Sequence, residues 1–394
     1  MKPKSFMLIA GEASGDLLAA ELVSALLAAS KQSGDGRAPQ FFGAGGPRMT
    51  AAGVELAFDL TQHSVIGISD VLKNYFKFRR LFNQLLKLAI ERKPDVVIGV
   101  DYGGFNLRFG HAIKQYVRNN RSASTPWNSK IVQFVSPQVW ASRPGRANRL
   151  AADYDLLLSI FPFEKDWYAQ RVPKLRVEFV GHPMVGRFVS VGTRCSASED
   201  ARQRVPTILL LPGSRADELR RHLPVMLRTL KLIREKLPSA TAKMVLPDEA
   251  LKQLADKLSV LPSDAEIKIG NLPQALTQAD VAIASTGTVT MECAFFGVPT
   301  VTLYKTSWLT YQIAKRIVTV NSLTMPNLLA GEEIFSEFVQ DAATPDHIAG
   351  AALELLQNEP RRNQIKKRLA DVVSSLGGPG ANTRAAAAIL SLFN

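Results

Sequence analysis

At 394 residues the chain is too long for one ordinary hydrophobic core, so two domains are expected. Its 46% apolar and 21% charged content is that of a globular enzyme, and no apolar run approaches the roughly 18–20 residues of a membrane span. With 48 basic against 35 acidic residues, formally +13, the chain favours an anionic partner: a nucleotide, a nucleic acid or an acidic membrane surface.

The N-terminal apolar stretch Phe6–Ala10 is too short for a signal peptide and runs into Gly11-Glu12. Cys195 and Cys293 stand in no metal-ligand spacing, which suits reduced cytosolic thiols. Strand-like runs follow in order at Phe6–Ala10, Gln40–Gly43, Val96–Val100, Ile131–Val135, Leu156–Ile160 and Val177–Val180, several of them near-continuously apolar and β-branched. That is the pattern of parallel strands covered on both faces. A helical stripe through Leu18, Leu22, Leu26 and Ala29 lies between the first two, so βαβ units are expected. A crossover helix over Leu81–Glu91 would suffice to reach the strand at Val96. The aromatic and basic segment Val71–Ile90 carries Tyr75, Phe76, Phe78, Arg79, Arg80 and Phe82, and its part before Leu81 is surplus to a minimal unit; it reads either as packing or as a membrane-docking surface.

From Val189 to Val205 the periodicity lapses, and this stretch reads as an interdomain linker. The alternation then restarts at Ile208–Leu211, Lys243–Leu246, Ile267–Ile269, Val281–Ala284 and Thr300–Leu303. Pro224 suits the first turn of a helix better than its interior. The expected division is an N-terminal Rossmann-like domain over 1–188, a linker over 189–205 and a second Rossmann-like domain over 206–375. A C-terminal helix within 376–394 is expected to pack back on the first domain.

Ligands of open parallel sheets sit beyond the carboxyl ends of the strands, and the chemically suggestive residues collect there. Glu12, Ser14 and Gly15 follow the first strand, Asp101 the strand at Val96, and Ser136-Pro137-Gln138 the strand at Ile131. In the second half, Pro212-Gly213-Ser214-Arg215 precede a helix whose amide end and guanidinium fork suit a diphosphate. Ser285-Thr286-Gly287-Thr288 open another helix, with Glu292 about two turns in. Gly213-Ser214-Arg215 lacks the Gly-Lys-Ser/Thr ending of a Walker loop, and Gly11–Gly15 lacks the glycine spacing of a dinucleotide fingerprint. Asp101 between a buried strand and flexible Gly103-Gly104 is the candidate general base; a backbone-capping turn aspartate is the alternative. Glu12 is either catalytic or a helix-start acid, and His182 reads as part of a rigid turn.

These stretches together resemble the lipid-A-disaccharide synthase family. The match runs through Gly11-Glu12-Ala13-Ser14-Gly15-Asp16, Phe42-Gly43-Ala44-Gly45-Gly46-Pro47, Asp101 to Leu107 and Ser136-Pro137-Gln138-Val139-Trp140-Ala141. It continues through Val180-Gly181-His182-Pro183, Leu211–Arg215, Ser285–Thr288 and Pro326-Asn327-Leu328-Leu329-Ala330. One departure is Tyr102-Gly103-Gly104, where the family pattern is an Ala-Pro-Asp-like turn.

The resemblance implies an α/β GT-B fold, two Rossmann-like domains with parallel sheets facing a central cleft. It implies an inverting glycosyltransferase that joins UDP-2,3-diacylglucosamine to 2,3-diacylglucosamine 1-phosphate through a β-1,6 linkage, releasing UDP. Asp101 would be the base, Arg215 and the helix N-termini would neutralise the leaving diphosphate, and no metal or other cofactor would be needed. Glu292 would bind the ribose hydroxyls, and Asn327 with Ser285–Thr288 the diphosphate region. A homodimer, peripherally bound to the anionic inner face of the cytoplasmic membrane, is implied as well, and no nucleic-acid partner. Other readings remain open at this level: a UDP-N-acetylglucosamine 2-epimerase, a lipid-intermediate glycosyltransferase, or a non-catalytic protein that binds anionic lipid.

Overall fold

The computed structural model describes residues 4–32, 38–63, 75–120, 127–192, 205–258 and 266–393. Outside them lie Val71–Asn74 of the aromatic-basic stretch, residues 193–204 of the expected linker, and Cys195; the side chain of Tyr75 is likewise not described. The chain divides into two compact units. The first comprises Met1–Gly186, Ile317–Thr319 and Leu376–Asn394, the second Arg187–Arg316 and Val320–Ser375.

The first unit is built on a seven-stranded, wholly parallel sheet in the order β3-β2-β1-β4-β5-β6-β7. Its strands are β1 (Ser5–Ala10), β2 (Gln40–Gly45), β3 (Glu55–Asp59), β4 (Val96–Val100), β5 (Lys130–Phe134), β6 (Leu156–Ser159) and β7 (Val177–Phe179). The continuous apolar runs of β1 and β4 are buried from end to end because helices cover both faces. Each fully buried Leu, Ile or Phe there contributes about 1.5–3 kcal/mol. Carboxylates secure the amino ends of the central strands: Asp95 accepts from the Ser5 amide at 2.8 Å, and Asp155 from the Ile131 amide at 2.8 Å. The helix Ala381–Leu390 belongs to this unit and packs on the helix Ala13–Gln32, where Asn382 Nδ2 donates to Glu21 at 3.1 Å.

The second unit repeats the plan with six parallel strands ordered β10-β9-β8-β11-β12-β13. These are β8 (Thr207–Leu211), β9 (Thr241–Leu246), β10 (Glu266–Ile269), β11 (Val281–Ser285), β12 (Thr300–Tyr304) and β13 (Ser336–Val339). In both sheets the direction of strand addition reverses beside the first strand, between β1 and β4 and between β8 and β11, the topological switch point of a Rossmann fold.

Several expectations are corrected. The edge strands β3 and β13 were not among the runs read from the sequence. Pro224 lies inside the helix Ala216–Lys236; an interior proline costs about 3 kcal/mol, which burial of Leu219, Leu223, Met226, Leu230 and Ile233 outweighs. Residues 189–192 of the expected linker continue the helix Pro183–Gly192, and the helix expected over Leu81–Glu91 runs from Tyr75 to Arg92. Gly103 and Gly104 open the helix Gly103–Asn119 and are no flexible linker. The helix Ala13–Gln32 is long and apolar enough to cross a membrane by length and composition alone, although Asp16, Glu21 and Ser24 interrupt its apolar run. Its apolar face is buried through Ala19, Leu22, Val23 and Leu26, as in a helix that flanks a core.

Candidate functional site

In the first unit the site residues meet because β1 and β4 are neighbours, with Ala10 opposite Val100. The turn after β1 carries Gly11, Glu12 and Gly15; the turn after β4 carries Asp101 and Tyr102. A Cβ on Gly11 would run into the Tyr102 ring, and one on Gly15 would stand 3.7 Å from the Asp101 Cβ. Asp101 and Tyr102 are both left-handed, at φ +50° and +45°. Such backbone in a non-glycine residue costs of order 1–3 kcal/mol and concentrates at functional sites. Burial, with the Glu12 carboxylate as a smaller contribution, pushes the Tyr102 phenol above its usual range. Ser14 is exposed in the first turn of the helix Ala13–Gln32.

Asp16, at the end of the Gly11–Asp16 stretch, is a structural anchor. Its buried carboxylate accepts the amides of Gly46, Arg48 and Met49 at 2.8, 3.0 and 3.0 Å, tying the turn after β1 to the turn after β2. The turn after β5 is anchored by Ser136, Glu164 and Tyr168. Trp140 Nε1 donates to Glu164 at 3.0 Å, and the Ser136 and Tyr168 hydroxyls lie 3.0 Å apart. Burial pushes the Glu164 carboxyl up to about 7 against the pull of these donors. His182 is buried, with Nδ1 accepting from the Met184 amide at 3.2 Å, in keeping with a rigid turn.

In the second unit β8 and β11 place the two glycine turns side by side, Leu211 opposite Ala284. Gly213 has φ +123°, a conformation that favours glycine. Glu218 closes over this turn: it accepts the Ser214 amide at 3.1 Å and pairs with the Arg215 guanidinium at 3.3 Å. The helix start is therefore already engaged by a carboxylate, which also orients Arg215. His222 braces the turn from below. The Lys305 amide donates to its Nε2 at 3.0 Å, so the ring proton sits on Nδ1 and is donated to the Pro212 carbonyl at 2.9 Å. Burial holds its pKa below the usual histidine value.

Ser285 is buried at the end of β11, whereas Gly287, at φ +129°, and Thr288 present exposed backbone at the start of the helix Thr288–Phe295. Glu292 sits about one turn into that helix, not two. Burial pushes its carboxyl up to about 7, with Arg187 pulling the other way.

The Asn327 side chain is spent on structure: its oxygen accepts the Ile334 and Phe335 amides at 2.9 and 2.8 Å, and its nitrogen donates to the Phe335 carbonyl and Glu337, both at 2.8 Å. Glu337 also accepts from Thr324, so Asn327 shapes the Thr324–Pro326 turn, and its amide has no group left for a diphosphate. The sequence also contains an Asp-x-Asp triplet, Asp153-Tyr154-Asp155. Both carboxylates are paired, Asp153 with His111 at 2.7 Å and Asp155 with Lys114 at 2.7 Å.

The aromatic-basic stretch is the first half of the helix Tyr75–Arg92. Phe76 is 81% exposed, and Lys77, Arg79 and Arg80 are exposed beside it. Phe78 is half-buried, and Phe82, also half-buried, packs edge-on against Phe105 and Phe109 at the border of the core.

Comparison with known proteins places these features in a family. The Lipid-A-disaccharide synthetase family profile matches residues 6–391. A lipid-A-disaccharide synthase of Trichlorobacter lovleyi is 37% identical over 99% of this chain and 98% of its own, and one of Myxococcus xanthus is 35% identical over 99% and 98%. Solved structures share the fold at lower identity. The S. aureus MnaA–UDP complex matches with a TM-score of 0.63 at 12% identity, covering 99% of this chain and 97% of its own. A. baumannii MurG matches with a TM-score of 0.55 at 16% identity, covering 99% and 100%. The fold is GT-B, shared by epimerases and glycosyltransferases alike, and the sequence decides between them: the chain belongs to the lipid-A-disaccharide synthase family of glycosyltransferases.

Proposed function

We propose that the protein transfers 2,3-diacylglucosamine from UDP to the 6-hydroxyl of 2,3-diacylglucosamine 1-phosphate in one inverting displacement. The acceptor oxygen attacks the anomeric carbon as the bond to UDP breaks, and the hydroxyl proton passes to the Asp101 carboxylate. The observation that carries this reading is the turn after β4, where a costly left-handed backbone at the switch point presents a carboxylate. UDP is a good leaving group, so the charge growing on it needs donors, not a metal: Arg215, held by Glu218, and the exposed backbone of Gly287 and Thr288 supply them. A deprotonated Glu292 accepts the ribose hydroxyls.

The exposed Phe76, with Lys77, Arg79 and Arg80, supports peripheral docking on an anionic membrane from which the acylated substrates are drawn. Family resemblance alone supports a homodimer, which sedimentation equilibrium tests. UDP release measured with both lipid substrates tests the chemistry: Asp101→Asn is expected to lose about 10²- to 10⁴-fold in turnover while its Kd for UDP stays within about threefold. Near-normal turnover removes Asp101 from the role of base.

A further inference from the structure

Left-handed backbone is not confined to Asp101 and Tyr102. Val135, in the neighbouring turn after β5, has φ +68°, a conformation that a β-branched residue adopts only when its surroundings impose it. Two buried amides supply the constraint. Gln133 Nε2 donates to the Asp101 carbonyl at 2.8 Å and to the Val135 carbonyl at 3.2 Å, and Asn106 Nδ2 donates to the same Asp101 carbonyl at 2.8 Å. The Asp101 amide is held in turn by the Phe134 carbonyl at 2.8 Å. Gln133 is 0% and Asn106 2% exposed.

The other ends of these amides are informative. Gln133 Oε1 and Asn106 Oδ1 are buried with no hydrogen-bond partner among the described residues. An unpartnered buried oxygen destabilises a fold, and an apolar side chain of the same shape would avoid it. Packing alone therefore argues against amides at both positions, and what they supply that apolar groups cannot is the pair of N–H donors on Asp101. Gly99, in the middle of β4, makes the room: a Cβ there would stand 2.7 Å from Gln133 Oε1 and 2.9 Å from the Asn106 Cβ.

We propose that Gln133 and Asn106 are positioning residues for the transfer reaction. They grip the Asp101 carbonyl, hold the Asp101–Tyr102 backbone left-handed and so set the bearing of the Asp101 carboxylate toward the acceptor hydroxyl. This rests on the reading of Asp101 as the base.

Gln133→Met and Asn106→Leu keep the volume and remove the donors, and Gly99→Ala displaces the Gln133 amide without deleting it. Each is expected to lower kcat about 10- to 100-fold with the donor KM and the Kd for UDP unchanged within about threefold. Should one variant fail to fold, as judged by circular dichroism, the other two carry the test. The decisive measurement combines Gln133→Met with Asp101→Asn. If the amides act through Asp101, the double variant turns over no more slowly than Asp101→Asn alone. A further loss equal to that of Gln133→Met in the native background overturns the proposal in favour of a general structural role. If Asp101→Asn is impaired but Gln133→Met, Asn106→Leu and Gly99→Ala turn over normally, only the positioning role falls. If Asp101→Asn itself turns over normally, the base assignment falls and takes the positioning role with it.

Discussion

Glu164 shows how a single buried group couples this fold to pH. Its carboxyl titrates at about 7 in the folded protein and near 4.5 when unfolded. Between those values the folded state binds more protons, so stability is full below about pH 4.5, falls as pH rises and is reduced by roughly 3 kcal/mol above pH 7. Glu164→Gln keeps an acceptor for Trp140 and removes the titration. Its melting temperature, compared with that of the native protein, is expected to rise progressively from pH 5 to pH 8; a constant difference would show that Glu164 does not carry this linkage. Nothing near Glu164 in the chain announces this behaviour, because its partner Trp140 lies 24 residues away and its burial is a product of the tertiary fold. The same holds for Asp16, Gln133 and His222: each is an ordinary polar residue until the turns after β1 and β2, after β4 and β5, or after β8 and β12, are brought within reach of it.

Among the elements, the helix Tyr75–Arg92 is electrostatically inverted at its start. Its first turn holds no acidic residue, and Lys77, Arg79 and Arg80 crowd the positive end of the helix dipole. Each cation there costs on the order of 0.3–1 kcal/mol in water, a cost that an anionic surface would reverse. Replacing Phe76, Phe78 and Arg79 together is expected to weaken binding to vesicles containing anionic lipid at least tenfold and to leave the melting temperature within about 2 °C. Unchanged co-sedimentation would remove this end of the helix from membrane docking. Phe82 is deliberately spared, since its ring supports Phe105 and Phe109 and its loss would confuse docking with stability.

For the whole molecule, the switch-point plan is repeated, and each unit carries two turns side by side at its switch point. UDP alone is expected to slow amide hydrogen exchange at residues 213–216 and 286–290 and to leave 99–107 unchanged; protection confined to 99–107 would overturn the proposal that UDP is held by Arg215, Gly287 and Thr288. Much of this plan was legible in the chain. The central strands β1, β4, β8 and β11 are continuous apolar runs, and their following turns hold Glu12, Asp101, Arg215 and Ser285–Thr288. The edge strands β3 and β13 were not: Glu55–Asp59 and Ser336–Val339 are only partly buried and carry charge, whereas the edges β7 and β10 still show as short runs at Val177–Val180 and Ile267–Ile269. Asn327, for which the resemblance implied a diphosphate contact, is spent on hydrogen bonds to Ile334, Phe335 and Glu337, and Pro224 is carried inside a helix by that helix's own buried face; neither arrangement is encoded in local spacing.

The return of the chain to the first unit at Leu376 has a practical corollary for dissection. A fragment stopping at Gly186 would contain every strand of the seven-stranded sheet yet lack Ala381–Leu390, leaving bare the surface of Ala13–Gln32 that this helix covers. Its mirror, a fragment from Arg187 onward, would carry that apolar helix as an unpaired tail. Neither piece is a clean module. Soluble halves are expected only when residues 376–393 are fused through a short linker to the fragment ending at Gly186, a gene architecture in which each sheet would keep the helices that cover it.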